Sequence, residues 1–160
     1  TVSAPTNFSH TTAISVLVAV VFFCVYGLTV TGLQYWLLCK ILLFAAVYDL
    51  TTHTVPDYVH VLLLLVGLIQ IPDPLAATAG FLLLPLPLLL GAMLSPGSVG
   101  GADIKLMAAV GPTLGVCRGV GGMMVGLLLA ILCNASYSKR KKPFPLVPYL
   151  SLGCFLALLA

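Results

Sequence analysis

The chain has 160 residues, 61% of them hydrophobic and only 7% charged, whereas a soluble domain carries about 25% charged residues. So little charge cannot cover a water-facing surface, which excludes a soluble globular protein. Residues 1–160 are expected to form one all-α membrane bundle of about six or seven crossings, at about 20 residues each, with no separate soluble domain. The net charge of +3 is concentrated in the run Lys139-Arg140-Lys141-Lys142, which suits a cytoplasmic loop obeying the positive-inside bias. The lipid bilayer, not nucleic acid, is therefore the expected surroundings.

Residues 1–11 are polar and precede a first helix over 12–33, with a break at Thr31-Gly32. A second helix covers 35–50 and carries Lys40, which can snorkel. The polar stretch 51–57 follows, and Pro56 suits the start of a helix over 58–71. The turn Ile71-Pro72-Asp73-Pro74 leads to a helix over 75–94 that Pro85 and Pro87 should kink or break. After the small-residue loop 95–102, a helix runs from Asp103 to about 117, interrupted near Gly111-Pro112. Another covers 119–133, where Gly119, Gly121, Gly122 and Gly126 allow close helix contact. A basic loop over 134–147 and a last helix over 148–160 complete the chain. The cysteines at 24, 39, 117, 133 and 154 stand singly, with no CxxC, and read as small buried hydrophobes.

The chain has four aspartates and no glutamate. Asp49 and Asp103 lie at the ends of apolar segments, where an ionisable group is costly and its default reading is functional. With the basic loop placed in the cytoplasm, counting back one crossing at a time brings Asp103 and Asp49 to that same side. Asp73 falls on the opposite face as a turn residue. Asp57, after Pro56, reads first as an acid at a helix N-terminus and second as support for the other two. His53 and His60 have too few companion ligands for a metal site, so neither metal nor cofactor is expected. Asn134-Ala135-Ser136 has the form of a glycosylation sequon but lies on the predicted inner face.

Three segments share a pattern. Asp49 to Asp57 has the form D-x6-P-[DN], Gly100-Gly101-Ala102-Asp103-Ile104-Lys105 is close to G-x-G-D-x-K, and Pro145 to Gly153 fits P-x-x-P-[FY]-x-x-x-G. In this order the chain resembles the type IV prepilin peptidases, membrane aspartic proteases of the GxGD type, over about residues 35–155. The resemblance implies that Asp49 and Asp103 are the catalytic pair, with Pro56, Asp57, Gly100, Gly101, Ala102 and Lys105 supporting them or the substrate. It implies cleavage of the basic leader from prepilin-like proteins at the cytoplasmic face of the inner membrane. The zinc-binding loop of larger members is absent, which points to the short, peptidase-only branch. Ala102 departs from the family glycine, and alanine resists backbone angles that glycine permits, so a differently shaped loop or weaker activity is expected there. Lys105 is expected to tune the pair or anchor at the interface.

The chemistry suits the residues. Hydrolysis of a peptide needs a base for water and an acid for the leaving amine, and two carboxylates sharing a proton supply both. Two other readings stand beside it: a small transporter whose aspartates bind a cation or relay protons, and an inactive pilus-assembly factor.

Overall fold

The computed structural model describes residues 7–95, 99–137 and 145–159, with side chains over 14–95, 99–134 and 145–159. The expected basic run 139–142 lies outside these residues. The described chain is all-helical: α1 (Asn7–Tyr26), α2 (Val30–Thr52), α3 (Asp57–Gly67), α4 (Pro74–Leu83), α5 (Pro85–Leu94), α6 (Gly101–Tyr137) and α7 (Val147–Leu159).

Local sequence explains most boundaries. The first break falls at Gly27 to Thr29, earlier than the expected Thr31-Gly32: Gly27 takes φ 67°, and the Thr29 hydroxyl caps α2 by accepting from the Gly32 amide at 3.2 Å. Asp73 caps α4 in the same way, accepting from the Leu75 amide at 2.9 Å, with Pro74 at the first helical position. The interruption at Pro85 is mild, because Leu84 keeps helical angles (φ −62°, ψ −40°). α4 and α5 together make a 21-residue apolar stretch, Pro74–Leu94.

By length and composition, three stretches can cross a membrane: Val30–Thr52, Pro74–Leu94 and Gly101–Asn134; Ile14–Tyr26, Asp57–Gly67 and Val147–Leu159 are shorter apolar helices. The outside of the bundle is correspondingly greasy, with Leu17, Leu28, Leu75, Met93 and Ile131 all exposed. Cys24, Cys117 and Cys133 are exposed too; only Cys39 and Cys154 are buried. For those first three the expectation of burial fails, since a sulfur on a lipid-facing helix surface needs no protein around it.

α6 is two arms, not one rod. Gly115 leaves helical space (φ 65°, ψ −177°) inside it. A straight helix would hold Asp103 and Ile131 about 40 Å apart, yet both line one cavity. The chain therefore turns back at Gly115, within the stretch 112–118 expected on the opposite face, and the interruption expected near Gly111-Pro112 falls three residues later than Pro112. α4 packs near this turn through glycine: a Cβ on Gly80 would come within 2.3 Å of the Gly111 carbonyl oxygen. The second arm packs on α7 the same way, with Gly122 and Gly126 against Gly153 and the Tyr149–Leu150 backbone. Gly119 meets Leu84 instead, and Gly121 has nothing near it.

The bundle thus has two polar ends. One gathers the end of α2, the starts of α3, α6 and α7, and the end of the second α6 arm. The other gathers the start of α2, the end of α3, Asp73, the Gly115 turn and the end of α7. Between them sits a core of Leu38, Leu42, Leu63, Leu106, Met107, Val110 and Leu150, each 2% exposed or less.

Candidate active site

Asp49 and Asp103 stand at the same end of the bundle and line the same cavity of about 550 Å³. Asp49 comes from the last turn of α2 and Asp103 from the first turn of α6. Each is 6% exposed. Each carboxylate is held by one backbone amide. The Gly100 N–H donates to Asp103 Oδ2 at 3.1 Å, and the Val147 N–H, at the start of α7, donates to Asp49. Each also keeps one buried oxygen with no protein partner, Oδ1 of Asp103 and Oδ2 of Asp49. The two carboxylates are near enough for their charges to interact. A burial that satisfies half of each carboxylate and leaves the other half bare is costly in a purely structural role.

The remaining wall is assembled from three places. Leu127, Ala130, Ile131 and Asn134 present one stripe of the second α6 arm at helical spacing. Pro145, Leu146 and Val147 close another side, and His53, Val99, Gly100 and Ala102 the rest. Apart from the two aspartates, His53 and Asn134 are the polar side chains of this lining. Neither belongs to the site residues the sequence suggested. His53 stands at the αL cap of α2 (φ 54°), its amide bonded to the Asp49 carbonyl at 2.9 Å, a position non-glycine residues seldom adopt. The i, i+3, i+4, i+7 spacing of 127, 130, 131 and 134 was the available signal for Asn134.

The other expected site residues divide. Gly100 and Ala102 line the cavity; Gly101, Pro56, Asp57 and Lys105 do not. Lys105 tunes neither aspartate by contact: its Nζ donates to Asp57 Oδ1 at 2.7 Å, on an exposed rim outside the cavity. The Lys105 ammonium, hydrogen-bonded and adjacent, holds the Asp57 carboxyl below its ordinary range. Asp57 also occupies the first turn of α3, where an acid complements the helix dipole. Ala102 is helical, and His53 is the one non-glycine residue of positive φ among those described. The backbone at 102 therefore does not call for glycine. Gly100 is different, because a Cβ there would lie 2.9 Å from Asp103 Oδ2. Among the described residues, no three His, Cys, Asp or Glu side chains come together as metal ligands.

Fold and site define an all-helical membrane protein with a pair of buried carboxylates at one end of its bundle. Its sequence matches the type IV leader peptidase family over residues 36–138, and the protein belongs to that family. Both aspartates fall inside the match and the Pro145–Gly153 segment outside it. Neither a curated protein nor a solved structure matches the chain.

Proposed function

We propose that the protein is an aspartic endopeptidase of the inner membrane that removes the basic leader from type IV prepilin-like proteins. Asp49 and Asp103 are its catalytic pair, and the site faces the cytoplasm. One observation carries the reading: in a chain of the type IV leader peptidase family, two carboxylates from helices far apart in sequence meet in one cavity, each with an uncommitted oxygen. One carboxylate takes a proton from the attacking water while the other protonates the leaving amine. The backbone amides of Gly100 and Val147 hold the carboxylates in place without consuming both oxygens. The apolar stripe at Leu127, Ala130 and Ile131 suits a substrate that is itself a hydrophobic helix, and the polar mouth at His53 and Asn134 suits its polar leader.

Two features weigh against the alternatives. A transporter needs a path through the bundle, and the sealed leucine and valine core stands between the cavity and the opposite end. The case for an inactive relative rested on Ala102, whose helical angles suit alanine as well as glycine. Co-expression with prepilin-like proteins of the same genome, scored as leader loss on a gel, tests the activity. The expected result is a shifted band; unprocessed substrate with every candidate overturns the reading. Single cysteines at Thr54 and Asp73, in a background free of native cysteines, test the side. A membrane-impermeant thiol reagent on intact cells should label position 73 and spare position 54, and the reverse would remove the cytoplasmic site.

A further inference from the structure

α3 carries one polar side chain on its buried face. His60 is 7% exposed and shares that face with Val59, Leu63 and Gly67. Its Nε2 lies 3.1 Å from the carbonyl oxygen of Ala102. A carbonyl oxygen only accepts, so Nε2 carries the proton and donates. Nδ1 is buried with no protein partner. Leucine or methionine would fill this space without burying a bare ring nitrogen, so packing alone gives no reason for an imidazole. The single bond it makes lands on the residue directly before Asp103.

Val99, Ala102 and Ile104 pack on the core around that turn, but few other polar contacts hold it. Nothing lies within 4 Å of where a Gly101 side chain would begin. The Gly100 amide holds Asp103 itself but does not tie the turn to a neighbouring helix. The Lys105–Asp57 pair also links α6 to α3, but both side chains are more than half exposed, and such pairs restrain little. The His60 bond is the more buried of these two links between α3 and the start of α6.

We propose that His60 is a positioning residue: its Nε2–H bond to the Ala102 carbonyl fixes the first turn of α6 and so holds the Asp103 carboxylate opposite Asp49. The catalytic consequence rests on the peptidase reading above; the structural consequence does not. A displacement of about 1 Å at a catalytic group can cost about a hundredfold in rate, so one lost restraint at this turn is enough to be seen.

The test compares His60→Gln with His60→Met. The two side chains are of similar length, but only glutamine keeps a donor near the Nε2 position. Two quantities are measured on purified full-length protein: cleavage kinetics on a prepilin-like substrate, and amide hydrogen exchange across residues 100–105. The Met variant should lose about 10- to 100-fold in kcat with KM near wild type. Exchange should quicken at 100–105 and not in α7, and the Gln variant should recover both quantities. Wild-type exchange at the turn in the Met variant overturns the proposal, whatever its activity. So does faster exchange with unchanged kcat, or a folded Gln variant that recovers neither. If the wild type cleaves nothing, the peptidase reading fails, and the exchange comparison still decides whether His60 holds the turn. Should His60→Met not accumulate, His60→Asn takes its place, since its amide is a methylene shorter and falls short of Ala102.

Discussion

The two ends of the bundle treat buried polarity in opposite ways. At the Gly115 end polar side chains are spent on partners. Gln34, 2% exposed, donates through Nε2 to the carbonyls of Val66 and Gly67 at 3.0 and 3.1 Å, covering the C-terminus of α3. Thr31 bonds Gln70, and the Tyr26 hydroxyl donates to the Leu158 carbonyl, tying α1 to α7. The Thr113 hydroxyl and the Trp36 indole N–H are the exceptions there among the described residues. At the other end both aspartates are buried and each leaves an oxygen unused. Unmade bonds of that kind cost stability, a cost that the catalytic role proposed for the two aspartates accounts for. The comparison separates polar groups that build the bundle from polar groups that are available for chemistry.

Replacing a group of the second kind should remove activity and leave the fold. Asp49→Asn and Asp103→Asn should each lower cleavage about a hundred- to ten-thousand-fold, the usual range for a lost acid or base. Expression and thermal unfolding in detergent should stay close to wild type, because asparagine keeps an acceptor for the Val147 or Gly100 amide. Near-normal processing by either variant would put the chemistry elsewhere.

Within the glycine motif, neighbouring residues should behave unequally. Gly100→Ala sets a Cβ 2.9 Å from Asp103 Oδ2, so the carboxylate or the turn must shift, with an expected loss of about 10- to 100-fold in kcat. Gly101→Ala meets nothing within 4 Å and should leave kcat unchanged. Equal losses in the two variants would mean that backbone freedom, not space beside Asp103, is what the motif supplies.

At the opposite end the sign reverses. Gln34→Leu removes the donor from the α3 carbonyls and should cost about 1–3 kcal/mol of stability, read as a lower unfolding temperature. Cleavage per folded molecule should not change. A Gln34→Leu protein that is stable but slow would tie this end to the chemistry and erase the contrast drawn above.

How much of this was legible in the sequence follows from the range of each interaction. The side shared by Asp49 and Asp103 could be counted from apolar lengths and proline positions, because each crossing reverses direction whatever it packs against. The reversal in α6 falls within the stretch 112–118 counted to the opposite face, but the break in the helix was expected at Gly111-Pro112 and lies at Gly115. Pro112 is a strong local breaker, yet its missing amide is tolerated within the helix, and the reversal falls on Gly115, which takes φ 65°. Contacts such as Lys105 with Asp57, His60 with Ala102 and Gln34 with Val66 join residues 32 to 48 positions apart. They depend on how α3 lies against α2 and α6, which no local pattern encodes. Asn134 was read only as a sequon: the count of crossings put it on the aspartates' side, but no local pattern says that the stripe at 127, 130, 131 and 134 faces their cavity.

The smallest expected effect concerns Ala102, where local pattern and structure part. Judged by the family motif, Ala102→Gly should preserve or raise activity. In the folded chain Ala102 sits in the first turn of α6 with helical angles, so glycine relieves no strain and adds freedom to the unfolded chain, costing about 0.5–1 kcal/mol. Turnover should be unchanged, because what the residue contributes to its neighbours is its carbonyl, which accepts from His60 and which glycine retains. Unfolding temperature and kcat measured on the same preparation separate the two effects. A small drop in the first with a flat second is expected. A rise in kcat would show instead that the alanine methyl restrains the Asp103 turn, and that the uncommitted oxygens at this end are held further from their working position than at a glycine-bearing site.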